Sequence, residues 1–257
     1  MATQRLSFVH VNDQHASFVK VRDASPWARQ RGVFEAAHAA NPFTLFTNSA
    51  DDHEKGSVAE HMADGAAGSL VPEIVRAMQF DVRTIGNHDF CHSLENVADY
   101  SVDPTALVVV SNICPARGSA LPWGAVDFGI KQVGELKVGF FGLVSRPWDE
   151  LQTQPDHLRF YDPDLECDFE FVSLARRLVA AHRGEVDLLV HVSHLGLGGD
   201  IELCEAVDGI DIVLGGHSHT VLNEEQVVNG AAIIHCGAEG QFVGQLDLEV
   251  AVGGQGG

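Results

Sequence analysis

Short apolar runs typical of β-strands alternate along the chain with segments of helical spacing, and this alternation constrains the fold more than any other feature. The predicted strands cover residues 5–11, 43–49, 81–86, 106–113, 186–196, 211–216, 231–237 and 243–252. The predicted helices cover residues 25–41, 68–79, 167–184 and a segment near 200–207. Alternation of this kind is typical of α/β proteins whose sheets are covered by helices.

Two further local patterns complete the predicted organisation. Residues 126–144 read as a β-hairpin that turns near Gly134 and Glu135. No internal linker divides the chain, so we expect one domain over residues 1–250, followed by a flexible glycine-rich tail over 251–257.

Composition excludes several classes of function. The formal net charge is −20, which argues against binding along a nucleic-acid polymer. No apolar run approaches the roughly 18 residues of a membrane helix, and the first residues lack the apolar core of a signal peptide. We therefore expect a cytoplasmic location and no membrane partner. The five cysteines form no CxxC pair, which argues against a disulfide framework or a thiolate zinc site.

Polar side chains that bind metals follow five of the predicted strands. Each of these strands is followed within a few residues by Asp, Asn or His, and these residues are Asp13, His15, Asp51, Asp52, Asn87, His88, Asp89, His194, His217 and His219. In open α/β sheets ligands bind in the crevice outside the carboxyl ends of the strands. Residues scattered over the chain are therefore expected to meet at one edge.

The residue types at these strand ends suit divalent metal ions. A single Asp-x-His after a strand is usually a turn, and GHSH alone is explained by a tight turn with exposed imidazoles. Five strand ends that all carry such residues favour a shared metal-binding site over five unrelated turns. Carboxylate, amide and imidazole donors suit Zn, Mn, Fe or similar ions. Seven ligands drawn from these ten residues are too many for one tetrahedral ion and suit two bridged ions about 3.5–4 Å apart, which can clamp a phosphoryl displacement.

The motifs HVNDQH (10–15), LFTNSAD (45–51), GNHD (86–89), VSHLG (192–196) and GGHSHT (215–220) resemble those of the calcineurin-like metallophosphoesterases. Within that superfamily they are most similar to the catalytic domain of the 5'-nucleotidase group. The resemblance covers residues 5 to 250 and implies a four-layer αββα sandwich. It also implies a metal-dependent hydrolase that cleaves a phosphomonoester or phosphodiester.

Each site residue takes its expected role from this resemblance. Asp13, His15 and His219 would hold the first metal ion, and Asn87, His194 and His217 the second. Asp51 would bridge the two ions, and a hydroxide that they share would attack phosphorus. His88 would stabilise the transition state and protonate the leaving oxygen, and Asp89 is a further catalytic candidate beside it.

The chain departs from the family pattern in three places. Ala50 replaces a glycine before the bridging carboxylate, so Asp52 is an alternative bridge, although the strand register favours Asp51. Cys91 stands where the family commonly has an Asp that orients the catalytic histidine, so Asp89 or another acid would have to substitute. The nucleotidases of this group carry a further C-terminal domain that binds the nucleoside, and we expect no counterpart of it within these 257 residues. Nucleotide specificity is therefore not implied.

Two alternatives remain open from the sequence. The Cys91 and Ala50 departures are compatible with a metal-binding domain of weak catalytic activity, such as a sensor or a scaffold. A related hydrolase that cleaves another oxoanion ester is compatible with the same fold. The expected partner in the main interpretation is a small phosphate ester.

Overall fold

Two β-sheets contain most of the predicted strands. The computed structural model describes residues 2–18, 25–54, 57, 68–146 and 163–252. In the first sheet the order is β13-β1-β2-β3-β4, with strands β1 (Ala2–Val11), β2 (Thr44–Asn48), β3 (Val82–Arg83), β4 (Leu107–Val108) and β13 (Gly244–Val252). Strands β1 to β4 run parallel, and β13 pairs antiparallel with β1.

The second sheet has the order β11-β12-β10-β9-β7-β6, with strands β6 (Phe128–Val133), β7 (Leu136–Val144), β9 (Leu188–His194), β10 (Ile212–Leu214), β11 (Gln226–Val228) and β12 (Ala231–Ile234). Its four central strands are parallel, and the two edge strands pair antiparallel with their neighbours. A small antiparallel pair joins β5 (Ile113–Pro115) to β8 (Leu165–Cys167).

The helices are α1 (Pro26–Ala40), α2 (Leu70–Met78), α3 (Leu94–Ser101), α4 (Phe171–His182) and α5 (Gly196–Ala206). Ser25 occupies the N-cap position of α1 without a side-chain hydrogen bond, and a proline begins the helix. Within the described residues none of these helices combines the length and the apolar character that crossing a bilayer requires.

Three hydrophobic clusters lie between these elements. The first joins the inner faces of α1, α2 and α3 to one face of the first sheet. The second contains residues of both sheets, such as Phe8 on β1 and Phe140 on β7. The third joins the opposite face of the second sheet, including Phe141, to α4 and α5. Neighbours such as Phe140 and Phe141 enter different clusters because successive strand side chains point to opposite faces. Such packing fits the expected αββα layers.

Most predicted elements are present, with differences at their boundaries. The hairpin turns at residues 134–135, as predicted. The strand predicted over 81–86 pairs only over Val82–Arg83, because the chain then turns into the polar segment. Helix α5 begins at Gly196, before the predicted 200–207, and β13 continues to Val252, into the predicted tail. The rest of that tail, 253–257, lies outside the described residues.

One helix, the short edge strand β11 and one strand pair were not predicted. Helix α3 begins at Ser93, whose hydroxyl accepts a hydrogen bond from the backbone N–H of Asn96. Ser93 at this N-cap position was the feature of the sequence from which the start of the helix could have been predicted. The pairing of β5 with β8 joins segments about 50 residues apart in sequence, and each has only three residues. Strands this short carry no readable periodicity.

Candidate metal centre

The predicted ligands come together where strands of both sheets end. Asp13 and His15 follow β1, Asp51 follows β2, and Asn87 follows β3, all in the first sheet. In the second sheet His194 ends β9, and His217 and His219 follow β10. Three groups of possible metal ligands form here, each with its ligand atoms within 4.8 Å of one another. They are Asp13/His15/His219, His15/Asp51/His88 and Asp51/His194/His217.

The first group matches the set expected for the first metal ion. The Nε2 atoms of His15 and His219 lie 2.9 Å apart. Oδ1 of Asp13 lies 3.3 Å from Nε2 of His219 and 3.8 Å from Nε2 of His15. Because a zinc–nitrogen bond is about 2.0–2.1 Å long, two nitrogen donors on one tetrahedral ion are about 3.3 Å apart. The spacing of these three donors is close to what one ion requires.

The second group lies around the buried imidazole of His194. Its Nε2 atom is 3.0 Å from Oδ2 of Asp51 and 3.2 Å from Oδ1 of Asn87. The ring of His217 lies 5.1 Å from that of His194, measured between centroids. Asp51, Asn87, His194 and His217 therefore form the second expected set.

Asp51 and Asp52 point in different directions although they are neighbours. Asp51 belongs to two of the three ligand groups, which is where a bridging carboxylate has to lie. The Asp52 carboxylate instead accepts hydrogen bonds from Nδ2 of Asn48 and from the hydroxyl of Tyr100. A side chain on residue 86 would meet Oδ1 of Asp51 at 2.1 Å, so Gly86 permits this close approach. The geometry favours Asp51 as the bridge.

Asp89 lies behind the ligand groups. Its buried carboxylate accepts hydrogen bonds from the backbone N–H groups of Gly86, Asp51, Asp52 and His53, at 2.8–3.2 Å, and contacts Nδ1 of His53 at 2.8 Å. These contacts hold the Asp51 loop against the turn that contains Asn87 and His88. This geometry fits a positioning role, and direct catalysis by Asp89 stays a prediction from the sequence.

Left-handed backbone conformations are concentrated at the ligands. Asp13, His15, Asp51, His217 and His219 have φ values between 45° and 73°. Non-glycine residues rarely adopt this region, although Asp and His tolerate it better than most. Residues held there cluster at functional sites because the surrounding structure must impose the conformation. Ala50 shares it, with φ of 66°, so the residue at the expected glycine position takes a glycine-like conformation.

The hydrogen bonds around His194 test whether these residues fit a metal ion. Its Nδ1 atom lies 2.6 Å from the backbone carbonyl of Ser49, so this nitrogen carries the proton and donates it. In the neutral ring the lone pair is then on Nε2, the atom that faces Asp51 and Asn87. Metal-binding histidines are commonly held in this way by a backbone carbonyl or a carboxylate. The donor set and this tautomer fit a divalent ion.

Electrostatics at the site favour positive charge. Burial opposes the ionised form of Asp51, but His194, His88 and His15 outweigh it and lower the pKa of Asp51 below its usual range. Burial also opposes charging of His194, yet Asp51 and Asp13 raise its pKa to about 10. Burial and the nearby His194 lower the pKa of His217 to about 4, which keeps its ring neutral. A cation among these carboxylates would be stabilised by the same field.

Glu54 is a residue of the site that the sequence did not reveal. Its Oε2 atom lies 2.8 Å from Nδ1 of His15 and 3.3 Å from Nδ1 of His88. Burial works against its charge, but these two histidines lower the pKa of Glu54 to about 2. The sequence offered little to single out Glu54. It stands three residues after Asp51, and another acid, Asp52, lies closer to Asp51 in the chain.

A cavity of about 450 Å³ opens beside His217. Phe169, Phe171 and Arg146 contribute to its walls, and the two phenyl rings meet edge to face with centroids 6.1 Å apart. Ser145, at its inner end, lies 3.4 Å from Oδ1 of Asn87 through its hydroxyl. The cavity therefore connects directly with the second ligand group.

Sequence comparison finds relatives over almost the whole chain, although no protein-family model matches it. An apyrase of Tabanus yao is 25% identical over 95% of this chain and 48% of its own length. The uncharacterized metallophosphoesterase YunD of Bacillus subtilis is 24% identical over 96% of this chain and 50% of its own length. The chain thus spans about half the length of these curated relatives. Its homologues are metallophosphoesterases, apyrases and 5'-nucleotidases, which confirms the predicted resemblance.

Solved structures with the same fold agree. The NAD nucleotidase of Haemophilus influenzae superposes with a TM-score of 0.82 at 19% identity, over 98% of this chain and 54% of that one. The calcineurin-like phosphoesterase YfkN of Bacillus subtilis gives 0.75 at 16% identity, over 96% of this chain and 86% of that one. These likenesses confirm the predicted mixed α/β fold with parallel and antiparallel strands.

Proposed function

We propose that the chain is a hydrolase of small phosphate esters that works with two divalent metal ions. The observation that carries the proposal is the placement of Asp51, whose carboxylate groups with His15 of the first expected set and with His194 and His217 of the second. One carboxylate shared between two sets is the arrangement that a two-ion site needs. The names of the homologues, which include metallophosphoesterase and apyrase, support the same reaction class.

The residues of the chain have distinct tasks in this proposal. Asp13, His15 and His219 would hold one ion, Asn87, His194 and His217 would hold the other, and Asp51 would contact both. Ions bound there would polarise the phosphoryl oxygens and supply an activated water as the nucleophile.

In this proposal His88 acts on the ester, although its ring also belongs to one of the three groups of possible metal ligands. Its backbone N–H donates to Oδ1 of Asp51 over 2.8 Å, and its ring lies 4.8 Å from that of His15 between centroids. Burial opposes its charged form, but Asp51 and Glu54 raise the pKa of His88 to about 9. A protonated imidazole at this position can donate its proton to the leaving oxygen, which is general acid catalysis.

The cavity beside His217 would receive the organic part of the ester. Its volume lies in the range of about 300–1,000 Å³ typical of small-ligand sites, and Phe169 and Phe171 offer it apolar surface. The names apyrase, 5'-nucleotidase and NAD nucleotidase of similar proteins make nucleotides the first esters to test.

Hydrolysis of p-nitrophenyl phosphate and bis-p-nitrophenyl phosphate after chelation tests the proposal. Zn, Mn, Fe, Ni or Mg is added back separately, and His88→Ala is compared with wild type and with His38→Ala, an exposed histidine on α1. We expect turnover only with added metal, normal turnover in His38→Ala, and a loss of about 10²–10⁴-fold in His88→Ala.

The same experiment distinguishes the alternative of a metal-binding domain with weak catalysis. That alternative predicts that the protein takes up metal ions but hydrolyses neither ester faster than His88→Ala does. Preference for one of the two esters would identify the monoester or diester class. A panel of nucleoside monophosphates and diphosphates would then test the nucleotide class directly.

A further inference from the structure

We propose that Glu54 is a positioning residue that orients both a metal-binding histidine and the histidine that acts on the ester. One atom, Oε2 of Glu54, lies 2.8 Å from Nδ1 of His15 and 3.3 Å from Nδ1 of His88. The two imidazole rings meet edge to face, with centroids 4.8 Å apart. A single carboxylate thus spans the two functions. The part that concerns His88 rests on the function proposed above, whereas the part that concerns His15 does not.

The first consequence concerns the tautomer of His15. Nε2 of His15 faces Asp13 and His219, so this nitrogen has to carry a lone pair if the ring is to bind an ion. The proton then belongs on Nδ1, the atom that faces Glu54. The N–H direction is not well aligned with the carboxylate oxygen. The Glu54 side chain is 37% exposed, so it is not fixed in this orientation by close packing. A carboxylate behind a metal-binding histidine fixes the ring and makes it a stronger ligand.

The second consequence concerns the ring of His88. The backbone of His88 is fixed by its hydrogen bond to Asp51, but the ring itself is 30% exposed. Contact of Nδ1 with Glu54 restricts rotation of the ring. Cys91, three residues after His88, is buried and offers no carboxylate for this task. The carboxylate that contacts the His88 ring is instead that of Glu54, in the loop after Asp51.

Metal affinity is the first test, because it does not depend on the reaction. Wild type, Glu54→Gln, Glu54→Asp and a control, Glu249→Gln, are stripped of metal and titrated with Zn against a competing chelator. Glu249 is exposed on β13 and lies far along the sheet from the ligands. We expect Glu54→Gln to weaken binding of one ion by about 10–100-fold, the usual effect of losing such a partner. Glu249→Gln should bind as wild type does.

A double-variant cycle assigns the effect to the right ion. In a His15→Ala background the imidazole through which Glu54 would act is already absent. There the Glu54→Gln change should alter Zn affinity by no more than about twofold, less than in the wild-type background. An effect of equal size in both backgrounds would mean that Glu54 acts through general charge and not through His15.

Leaving-group dependence tests the role toward His88. A p-nitrophenolate leaves without much help from a proton, whereas an alkoxide needs one. Under saturating metal, Glu54→Gln should therefore lower kcat for an alkyl or nucleoside phosphate more than for p-nitrophenyl phosphate. Equal losses on both esters would overturn the assignment to His88.

Failures of this proposal and of the proposed function can be told apart. If Glu54→Gln binds Zn as tightly as Glu249→Gln, the positioning role for His15 is wrong even when the wild type hydrolyses esters. If the wild type hydrolyses no ester, the proposed function fails, and the Zn titration still decides the role of Glu54. Melting temperatures of the metal-free variants check that each one folds. If Glu54→Gln does not fold, Glu54→Asp replaces it in the titration, because Asp keeps the negative charge but its shorter side chain holds the carboxylate farther from the two histidines.

Discussion

Replacement of Asp89 by Asn separates a structural role from a catalytic one. In the structure Oδ1 of Asp89 accepts from the N–H groups of Asp52 and His53 and contacts the ring of His53, while Oδ2 accepts from Gly86 and Asp51. An Asn side chain has only one acceptor oxygen. Its best orientation keeps the contacts of Oδ1 and turns an NH₂ group toward the two N–H donors that Oδ2 now serves.

The size of the effect follows from those two lost bonds. Hydrogen bonds to a charged group contribute about 1.5–3 kcal/mol each, so two of them amount to about 3–6 kcal/mol. Removing the Asp89 charge relieves repulsion with Asp52, a carboxyl whose pKa burial and Asp89 raise to about 6. This relief offsets about 1 kcal/mol, since one pKa unit corresponds to about 1.4 kcal/mol. We expect Asp89→Asn to lose about 2–5 kcal/mol, a large part of the roughly 5–15 kcal/mol typical of a domain.

Urea unfolding of the metal-free protein, followed by circular dichroism, measures this loss. Asp127→Asn, at an exposed position on the second sheet's edge, is the matched control and should change stability by no more than about 0.5 kcal/mol. A loss below about 1 kcal/mol in Asp89→Asn, together with abolished turnover, would refute the positioning argument. That result would instead establish Asp89 as a catalytic residue.

Three further predictions follow from the geometry. Asp51→Asn should bind fewer than the two ions of the wild type by mass spectrometry, whereas Asp52→Asn should keep both and lose about 1–3 kcal/mol of stability through its bond to Tyr100. A saturating ion at about 100 times its Kd should stabilise the wild type against urea by about 2.7 kcal/mol, and an unchanged midpoint would contradict the metal site. Burial lowers the pKa of His191 to about 4, so between pH 6.5 and 4 the unfolded chain binds a proton that the folded one does not. His191 should therefore contribute about 3 kcal/mol to the loss of stability as the pH decreases through that window, and His191→Phe should remove that contribution from the measured slope.

The ligands could be predicted from the sequence because each one follows its strand directly. A β-like run that ends in Gly, Asn, Asp or His states both where the strand stops and which side chains lie at its carboxyl end. The five ligand segments could be identified without knowing which strands pair, because parallel strands bring their carboxyl ends to the same edge of a sheet. Helix α3 was missed because its eight residues follow the site turn immediately, and only Ser93 marked its beginning.

The roles of Asp89 and Glu54 could not be predicted in the same way. Three of the four backbone donors to Asp89 lie 36 to 38 residues earlier in the chain, and His88, which Glu54 contacts, follows a different strand. Nothing local shows whether an acid beside a ligand turns toward the ions or toward the neighbouring loop. Asp51 and Asp52 illustrate this, because two adjacent carboxylates take opposite directions.

The hydrogen bonds that Asp89 accepts help to maintain the strained backbone conformation of the ligand Asp51. Each ligand in the left-handed region costs of order 1 kcal/mol or more, and such a conformation persists only where neighbouring contacts impose it. The Asp51 loop is held by Asp89, and Asp13 is held by Nδ2 of Asn12 and by its hydrogen bond from the backbone of His217. These contacts hold the loops that carry the donor atoms of Asp51 and Asp13. Because these contacts hold the loops in place, an ion that binds there needs little rearrangement of them. Loss of the hydrogen bonds to Asp89 should therefore weaken metal binding, even though Asp89 belongs to none of the three ligand groups.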